Sequence, residues 1–468
     1  MQKNQSDYET IQSETEMEEY QTMHAQWICT TWDGRQAHTL HRKLLPEQDR
    51  GTEFKVINLY PEFTYQIFEG FGGAMTEAAA YTFSQMPPSL QQGLLDAYFG
   101  PDGLGYRYAR ISLDSCDFSL GHYEALKVPG DSELSSFTLE RDEQYVIPFL
   151  HAAEQRLGQK IQLMLSPWSP PAWMKSNHDR NHGGYLLPQY RSLWASYICR
   201  YIREYQKRGF EVKMLTVQNE PNATQTWDSC RYTAEEEKEF LRDFLYPEME
   251  RQGLQVEIYI WDHNKERAFE RAEAILDDET RGMVSGVAVH WYTGDHFEAL
   301  GMLRERFPEK KLVFTEGCVE YSRFRKQDML KNARMYAHDI IGNLNHGLNL
   351  FLDWNILLDE HGGPNHVKNF CDAPVMFHAK NLKLEKKLSY YYIGHLSRFI
   401  KQGAQRIGLS RYTDMIDATA FRNPDGELVM VAMNRTSEPM PMNVRIAGQV
   451  LITELPSDAI ATLLIRDI

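Results

Sequence analysis

Residues 215–221 read "LTVQNEP". Leu215 to Gln218 suit a buried strand, and the chain then places Asn219 beside Glu220 and turns at Pro221. Proline cannot continue a ladder, so the strand has to stop there. The plain reading is a polar loop start. The sharper one makes Glu220 a proton donor at a strand end, with Asn219 beside it in a binding site.

Seven other segments have the same form. Apolar runs followed by helix-like stretches occur at 65–73, 106–116, 161–169, 256–264, 286–292, 311–318 and 349–355. The segments between them have helical character, such as 187–209 and 234–253. Strands alternating with helices at this length predict an α/β fold, a (β/α)8 TIM barrel, with a doubly wound open sheet as the alternative. Each run begins apolar and ends polar or aromatic. In a barrel those ends meet at the C-terminal mouth, where active sites are built.

Both flanks are different. "QWICTTW", "HTLHRKL" and "EFKVINLY" precede the barrel, and "MIDATAF", "LVMVAMN", "MNVRIA" and "AIATLLI" follow it, with turn signals such as "NPDG" between them. These predict a β-sandwich built from both chain ends. The expected division is an N-terminal segment 1–64, a barrel 65–398 and a C-terminal sandwich part 399–468. Residues 1–20 read as a frayed acidic leader or a short helix.

The 468 residues carry a net charge of -15, which disfavours nucleic acid and anionic membranes. No run of about 18 apolar residues marks a membrane span. The N-terminus lacks an apolar core of signal-peptide type, and the six cysteines are scattered without CxxC pairs. Both points suggest reduced thiols in a cytoplasmic protein. A homo-oligomer is left open.

Glu220 closes the fourth run and Glu316 the seventh, so a barrel sets them face to face. A protonated and an ionised carboxyl flanking one bond are what glycoside cleavage requires. The plainer reading is that each caps a helix. Asn219 could donate to a sugar 2-hydroxyl, or bond its own turn. Trp168, stiffened by prolines in "SPWSPPAW", could wall a pocket or fill a core. Asp117 could accept from hydroxyls or cap a helix. In "HWY" (290–292), alternation sends His290 and Tyr292 inward and Trp291 outward. The Tyr292 phenol could then bond the nucleophile.

Other chemistries find less support. "EGFGGAM" (69–75) has Met75 where a dinucleotide motif needs a third glycine. The histidines of "GHY", "DHN" and "HGGPNH" lack HExxH spacing, and no G-x-S-x-G elbow occurs. Lys265, the nearest Schiff-base candidate, lies in a charged stretch. No metal and no organic cofactor is expected.

The blocks "FEGFGGAMTEAAA", "RISLDSCDFS", "LSPWSPPAWMKSN", "TVQNEP", "VAVHWY", "FTEGC", "DWN" and "GGPNHVKNF" resemble, in order, the signature blocks of glycoside hydrolase family 30. The nearest branch is that of the lysosomal glucosylceramidases. The resemblance covers nearly the whole chain. It implies a retaining exo-β-glycosidase acting on a β-D-glucoside or oligosaccharide, with Glu220 as acid/base and Glu316 as nucleophile. It further implies sugar contacts by Asp117, Trp168, Asn219, Trp354 and Asn369, support by Arg110, and Tyr292 beside the nucleophile. β-Xylosidase, β-fucosidase and β-1,6-glucanase activities are alternatives within the family. A non-catalytic sugar-binding barrel and a metal-dependent hydrolase are alternatives outside it. Two features depart from the lysosomal pattern: His366 replaces a tryptophan, and the loop after Glu220 is shorter. Both fall on the leaving-group side. With no leader and no lipid-facing patch in view, membrane glucosylceramide is not the expected substrate.

Overall fold

The computed structural model describes residues 23–467. The expected leader at 1–20 lies outside the described residues. Eight parallel strands close into a barrel: β1 (Gly70–Ala74), β2 (Tyr108–Leu113), β3 (Gln162–Pro167), β4 (Glu211–Thr216), β5 (Glu257–Asn264), β6 (Gly286–His290), β7 (Lys311–Glu316) and β8 (Leu350–Asn355). Each pairs with its neighbour in sequence, and β8 returns to β1.

The lower interior is packed by Tyr108, Met164, Met214, Tyr259, Ala288, Val313, Leu350 and Leu352. β1 adds almost no side-chain volume there, because its glycines let it lie against β2. A Cβ on Gly72 would sit 2.2 Å from the Tyr108 carbonyl oxygen. Close strand approach is the physical reason for the glycine run that resembled a nucleotide motif.

Helices cover the outside. The helix Arg191–Lys207 buries Trp194, Ile198, Tyr201, Ile202 and Tyr205, spaced three and four residues apart as one apolar face requires. The helix after β4 begins at a capping box, in which Thr233 and Glu236 each satisfy the other's backbone N–H.

One ten-stranded sheet holds both chain ends. His24–Trp32 lies antiparallel to Ile460–Arg466, and Val56–Phe68 antiparallel to Ala404–Ser410. Strands near both edges of this sheet share one core, including Trp27, Ile57, Met430, Val444 and Leu463, so the sheet curls over its own apolar face. The strand Val56–Phe68 continues past the boundary expected at 64. Residues 65–68 belong to the sandwich, and the chain changes sheet at Glu69–Gly70, where Gly70 has φ +136°.

That strand also exposes Tyr60, Phe63, Tyr65 and Ile67, an apolar stretch the sequence reading did not expect. No helix among the described residues is long and apolar enough to cross a membrane. The six cysteines are all buried free thiols.

Candidate active site

The barrel interior changes character above the apolar layer. Two residues beyond Tyr108, on the same strand face, stands Arg110, a fully buried guanidinium. It donates to Ser166 Oγ (3.1 Å), Glu316 Oε2 (2.7 Å), Asn219 Oδ1 (2.8 Å) and Asp262 Oδ2 (2.7 Å). A buried charge needs such partners. Arg110 therefore fixes the ends of β3, β4, β5 and β7 relative to one another.

Strand β4 ends at Thr216, and Asn219 follows on a tether from its N–H to the Pro167 carbonyl (2.8 Å). Glu220 takes φ +46°, a left-handed conformation unfavourable for a residue with a Cβ. Its N–H bonds the Asp262 carbonyl (3.0 Å), and its own carbonyl receives the Ala223 N–H (2.8 Å). Strained backbone held by neighbours is common at working sites. Here it turns the Glu220 carboxyl over the mouth. Oxygens of Glu220 and Glu316 lie within 4.8 Å of each other, and a His290 ring nitrogen lies within the same distance of both.

His290 bridges the pair to the barrel. Its Nδ1 lies 3.3 Å from Glu220 Oε1 and its Nε2 3.1 Å from Asp262 Oδ1. Asp262 also accepts from Thr315 Oγ1 at 2.6 Å. Burial opposes charge on His290, but the carboxylates of Glu316, Asp262 and Glu220 outweigh it and raise the imidazole to about 9. Burial also opposes charge on Asp262, yet Arg110 and His290 hold that carboxyl well below its usual range.

Tyr292 donates to Glu316 Oε1 at 2.9 Å. Trp291 points the other way and packs on Phe314 and Tyr336, as the alternation predicts. Burial pushes Glu316 up, against the pull of the His290 and Arg110 charges. Burial opposes charge on Glu220 as well, but the His263 and His290 imidazoles at 3.8 and 3.3 Å, with Gln225 Nε2 at 3.5 Å, outweigh it and hold the carboxyl down to about 2. Burial in turn lowers His263 and favours its neutral form.

Opposite the carboxyl pair, Trp168 and Trp354 stack at 5.5 Å, and the Arg110 guanidinium lies 4.7 Å from the first ring. Asp117 Oδ2 accepts from Asn365 Nδ2 and Asn369 Nδ2, both at 3.2 Å. Burial, reinforced by the Glu316 charge, raises Asp117 to about 8. The helix-cap alternative for Asp117 is not the arrangement found.

Together these groups line a cavity of about 250 Å³. That is below the roughly 300–1,000 Å³ of drug-sized ligand sites and suits one sugar ring. Asp117, Trp168, Asn219, Glu220, Tyr292, Glu316, Trp354 and Asn369 all face it, while Arg110 and His290 sit beneath. Asp262 and His263, the polar end of the fifth run, complete the site together with Gln225 and Trp227, which the sequence does not single out. The first is a strand-end acid visible in "YIWDHN", and Gln225 and Trp227 come from the loop after β4. Lys265 is not in the cavity. It is buried elsewhere, against Asp339 and Asn343 Oδ1.

Residues 68–400 match the glycosyl hydrolase family 30 TIM-barrel domain, and residues 403–463 the beta sandwich domain of the same family. The chain is 34% identical to the lysosomal acid glucosylceramidase of Mus musculus, over 83% of this chain and 79% of that protein. The crystal structure of SrfJ from Salmonella typhimurium superposes with a TM-score of 0.90 at 38% identity, covering 94% of this chain and 99% of that one. The endo-β1,6-glucanase BT3312 superposes at 0.83 with 26% identity, over 94% and 99%.

Proposed function

This chain belongs to glycosyl hydrolase family 30 and is a glycoside hydrolase, and from that premise we propose that it is a retaining exo-β-glycosidase acting on β-D-glucosides. The observation that carries the proposal is the approach of the Glu220 and Glu316 oxygens to within 4.8 Å. Retaining enzymes hold their carboxyl groups about 5–5.5 Å apart, whereas inverting enzymes need about 6.5–9.5 Å to admit a water.

Two like charges this close do not both ionise readily. Glu316 receives short bonds from Arg110, which is always charged, and from Tyr292. Glu220 has longer contacts, to His290 Nδ1 at 3.3 Å, Gln225 Nε2 at 3.5 Å and His263 Nε2 at 3.8 Å, of which the His290 ring is charged. In the empty site His263 and His290 hold Glu220 low, so we assign it the proton donor's role from the family position it matches and from the firmer anchoring of Glu316 by Arg110 and Tyr292. Glu316 attacks the anomeric carbon while Glu220 protonates the departing oxygen. A water then gives its proton to Glu220 and its oxygen to the same carbon, releasing Glu316.

Arg110 holds Asn219 by its oxygen, which leaves the amide N–H₂ for the sugar 2-hydroxyl. Trp168 and Trp354 give a flat wall, and Asp117 with Asn369 faces the far hydroxyls. A cavity sized for one sugar ring favours release of single sugars. Free thiols at all six cysteines suit a reducing compartment such as the cytoplasm.

Incubation with a 2-deoxy-2-fluoro β-glucoside followed by peptide mass spectrometry tests the mechanism. A covalent adduct on Glu316 is expected, and an adduct on another side chain would refute the assignment. The likeness to an endo-β1,6-glucanase favours a second reading, hydrolysis inside β-1,6-glucan. Internal fragments from the linear glucan would establish it, and release of glucose alone would exclude it. A nitrophenyl glycoside panel separates the glucosidase from xylosidase and fucosidase activities.

A further inference from the structure

His122, Asp228 and His366 come from three loops, those after β2, β4 and β8, and meet where the loops of the cavity-lining Trp227 and Asn369 run side by side. Asp228 is fully buried. Its Oδ1 is already used, by Arg180 Nε at 2.7 Å and Ser115 Oγ at 2.9 Å. Its Oδ2 has no hydrogen-bond partner. That oxygen faces His366 Nε2 at 3.9 Å and His122 Nδ1 at 3.3 Å; the latter contact is too bent for a hydrogen bond, but the carboxylate draws the His122 imidazole up, so a protonated His122 is the competitor of a metal for this oxygen.

The His366 side chain is nine-tenths buried. Its Nδ1 lies 3.2 Å from the Ser119 carbonyl, which can only accept, so Nδ1 carries the hydrogen. Nε2 is then a bare lone pair, and it too has no partner. Two buried lone pairs aimed at each other with no proton between them are costly. Such a pair calls for something positive in the gap.

We infer that His122 Nδ1, Asp228 Oδ2 and His366 Nε2 bind one divalent transition-metal ion of zinc type. Two imidazoles and one carboxylate suit zinc and its neighbours, whereas calcium and magnesium prefer oxygen alone. The three atoms lie within 4.8 Å of one another. With metal–nitrogen bonds of about 2.0–2.1 Å, a tetrahedron has edges of about 3.3–3.5 Å. The His122–Asp228 edge already has that length, and the His366–Asp228 edge needs to close by a few tenths of an ångström.

The surroundings fit as well. Metal-binding histidines usually donate their second N–H to a carbonyl or carboxylate. His366 does so to Ser119. His122 Nε2 lies 3.4 Å from the Asn181 amide, whose own oxygen is unpartnered, so turning that amide over supplies the acceptor. The Arg180 charge beside Asp228 is offset by Glu124 and Asp114 at 3.4 and 3.6 Å. His122 is half-exposed, which gives the ion an entry path and leaves its fourth position to water.

The site is separate from the hydrolytic reaction, but it would tie together the loops that carry Trp227 and Asn369. Spacing rules do not detect it, because "GHY" and "HGGPNH" meet only in three dimensions.

Chelator-treated protein is titrated with cobalt(II) and read by visible absorption, then with zinc by calorimetry. A Glu316→Gln background removes the cluster of Glu220, His290 and Glu316 as a competing site. One equivalent, with the intense absorption of a four- or five-coordinate ion, is expected. Zinc should displace the cobalt and raise Tm. His122→Gln and His366→Gln should each weaken binding by more than about 100-fold, beyond the 10–100-fold loss typical of second-shell changes. His122 is half-exposed, so its variant should fold normally, as Tm without metal will show. Absence of the cobalt band, or binding unchanged in the His122 variant, would overturn the inference and leave water or surface sites as the explanation.

Discussion

Asn219→Ala isolates one contact that the mechanism makes only with a substrate bearing a 2-hydroxyl. Arg110 Nη2 fixes the Asn219 oxygen at 2.8 Å, so the amide nitrogen points into the cavity before any sugar arrives. A hydrogen bond to a group gaining charge contributes about 1.5–3 kcal/mol. At about 1.4 kcal/mol per decade, kcat/KM on nitrophenyl β-D-glucoside should fall about 10- to 150-fold. Stability should change little, because Arg110 Nη2 keeps its bond to Asp262 at 2.7 Å. The decisive assay repeats the comparison on the 2-deoxy glucoside, which lacks the bonded hydroxyl. There the variant and the parent should differ by no more than about twofold, within the few tenths of a kcal/mol that independent changes leave unexplained. An equal loss on both substrates would refute the reasoning. It would mean that Asn219 acts by shaping the barrel mouth and not by binding the 2-hydroxyl.

Glu316→Gln should abolish turnover of nitrophenyl glucoside yet still bind a glucose-like inhibitor by calorimetry, because Arg110 and the tryptophan walls remain. Glu220→Gln should slow alkyl glucosides far more than nitrophenyl glucosides, whose leaving group needs no proton; equal slowing would remove Glu220 from the acid role. Burial raises Asp117 from an ordinary carboxyl value of 3.8 to about 8, so the folded state binds more protons than the unfolded one between those values. Its effect on stability is therefore unfavourable and grows as pH rises through that window. Asp117→Asn should raise Tm relative to the parent more at pH 8 than at pH 4, as differential scanning calorimetry will show. Trp354→Ala should lower stability by about 3–5 kcal/mol in denaturant titration, since it empties a buried site stacked on Trp168.

How far the site could be read from sequence depends on where each strand keeps its phase. On β2, β3, β4 and β6 simple alternation holds: Tyr108, Met164, Met214 and Ala288 fill the barrel, and Arg110, Ser166, Thr216 and His290 follow two residues later in its polar layer. A reader who fixes one inward residue per strand obtains the next, which is why alternation sends His290 and Tyr292 inward and Trp291 outward. Strand β5 breaks the rule. Tyr259 points inward, so alternation would send Trp261 in and Asp262 out. Positive φ values at both (74° and 48°) and a register shift against β6 reverse this. Asp262 thus becomes the shared partner of Arg110, His290 and Thr315, a role no periodicity shows. The boundary expected at 64 falls short of Glu69 for a related reason. Residues 65–68 alternate like any strand, and only their partner, Ala404–Ser410 instead of a barrel neighbour, assigns them to the sandwich. Gln225, Trp227 and the trio of His122, Asp228 and His366 lie in loops, where local sequence carries no phase at all. The chemistry carried on the strands was therefore accessible wherever local geometry is regular. The chemistry at the mouth depends on which loops the closed barrel brings side by side, and that is a property of the ring and not of any one segment.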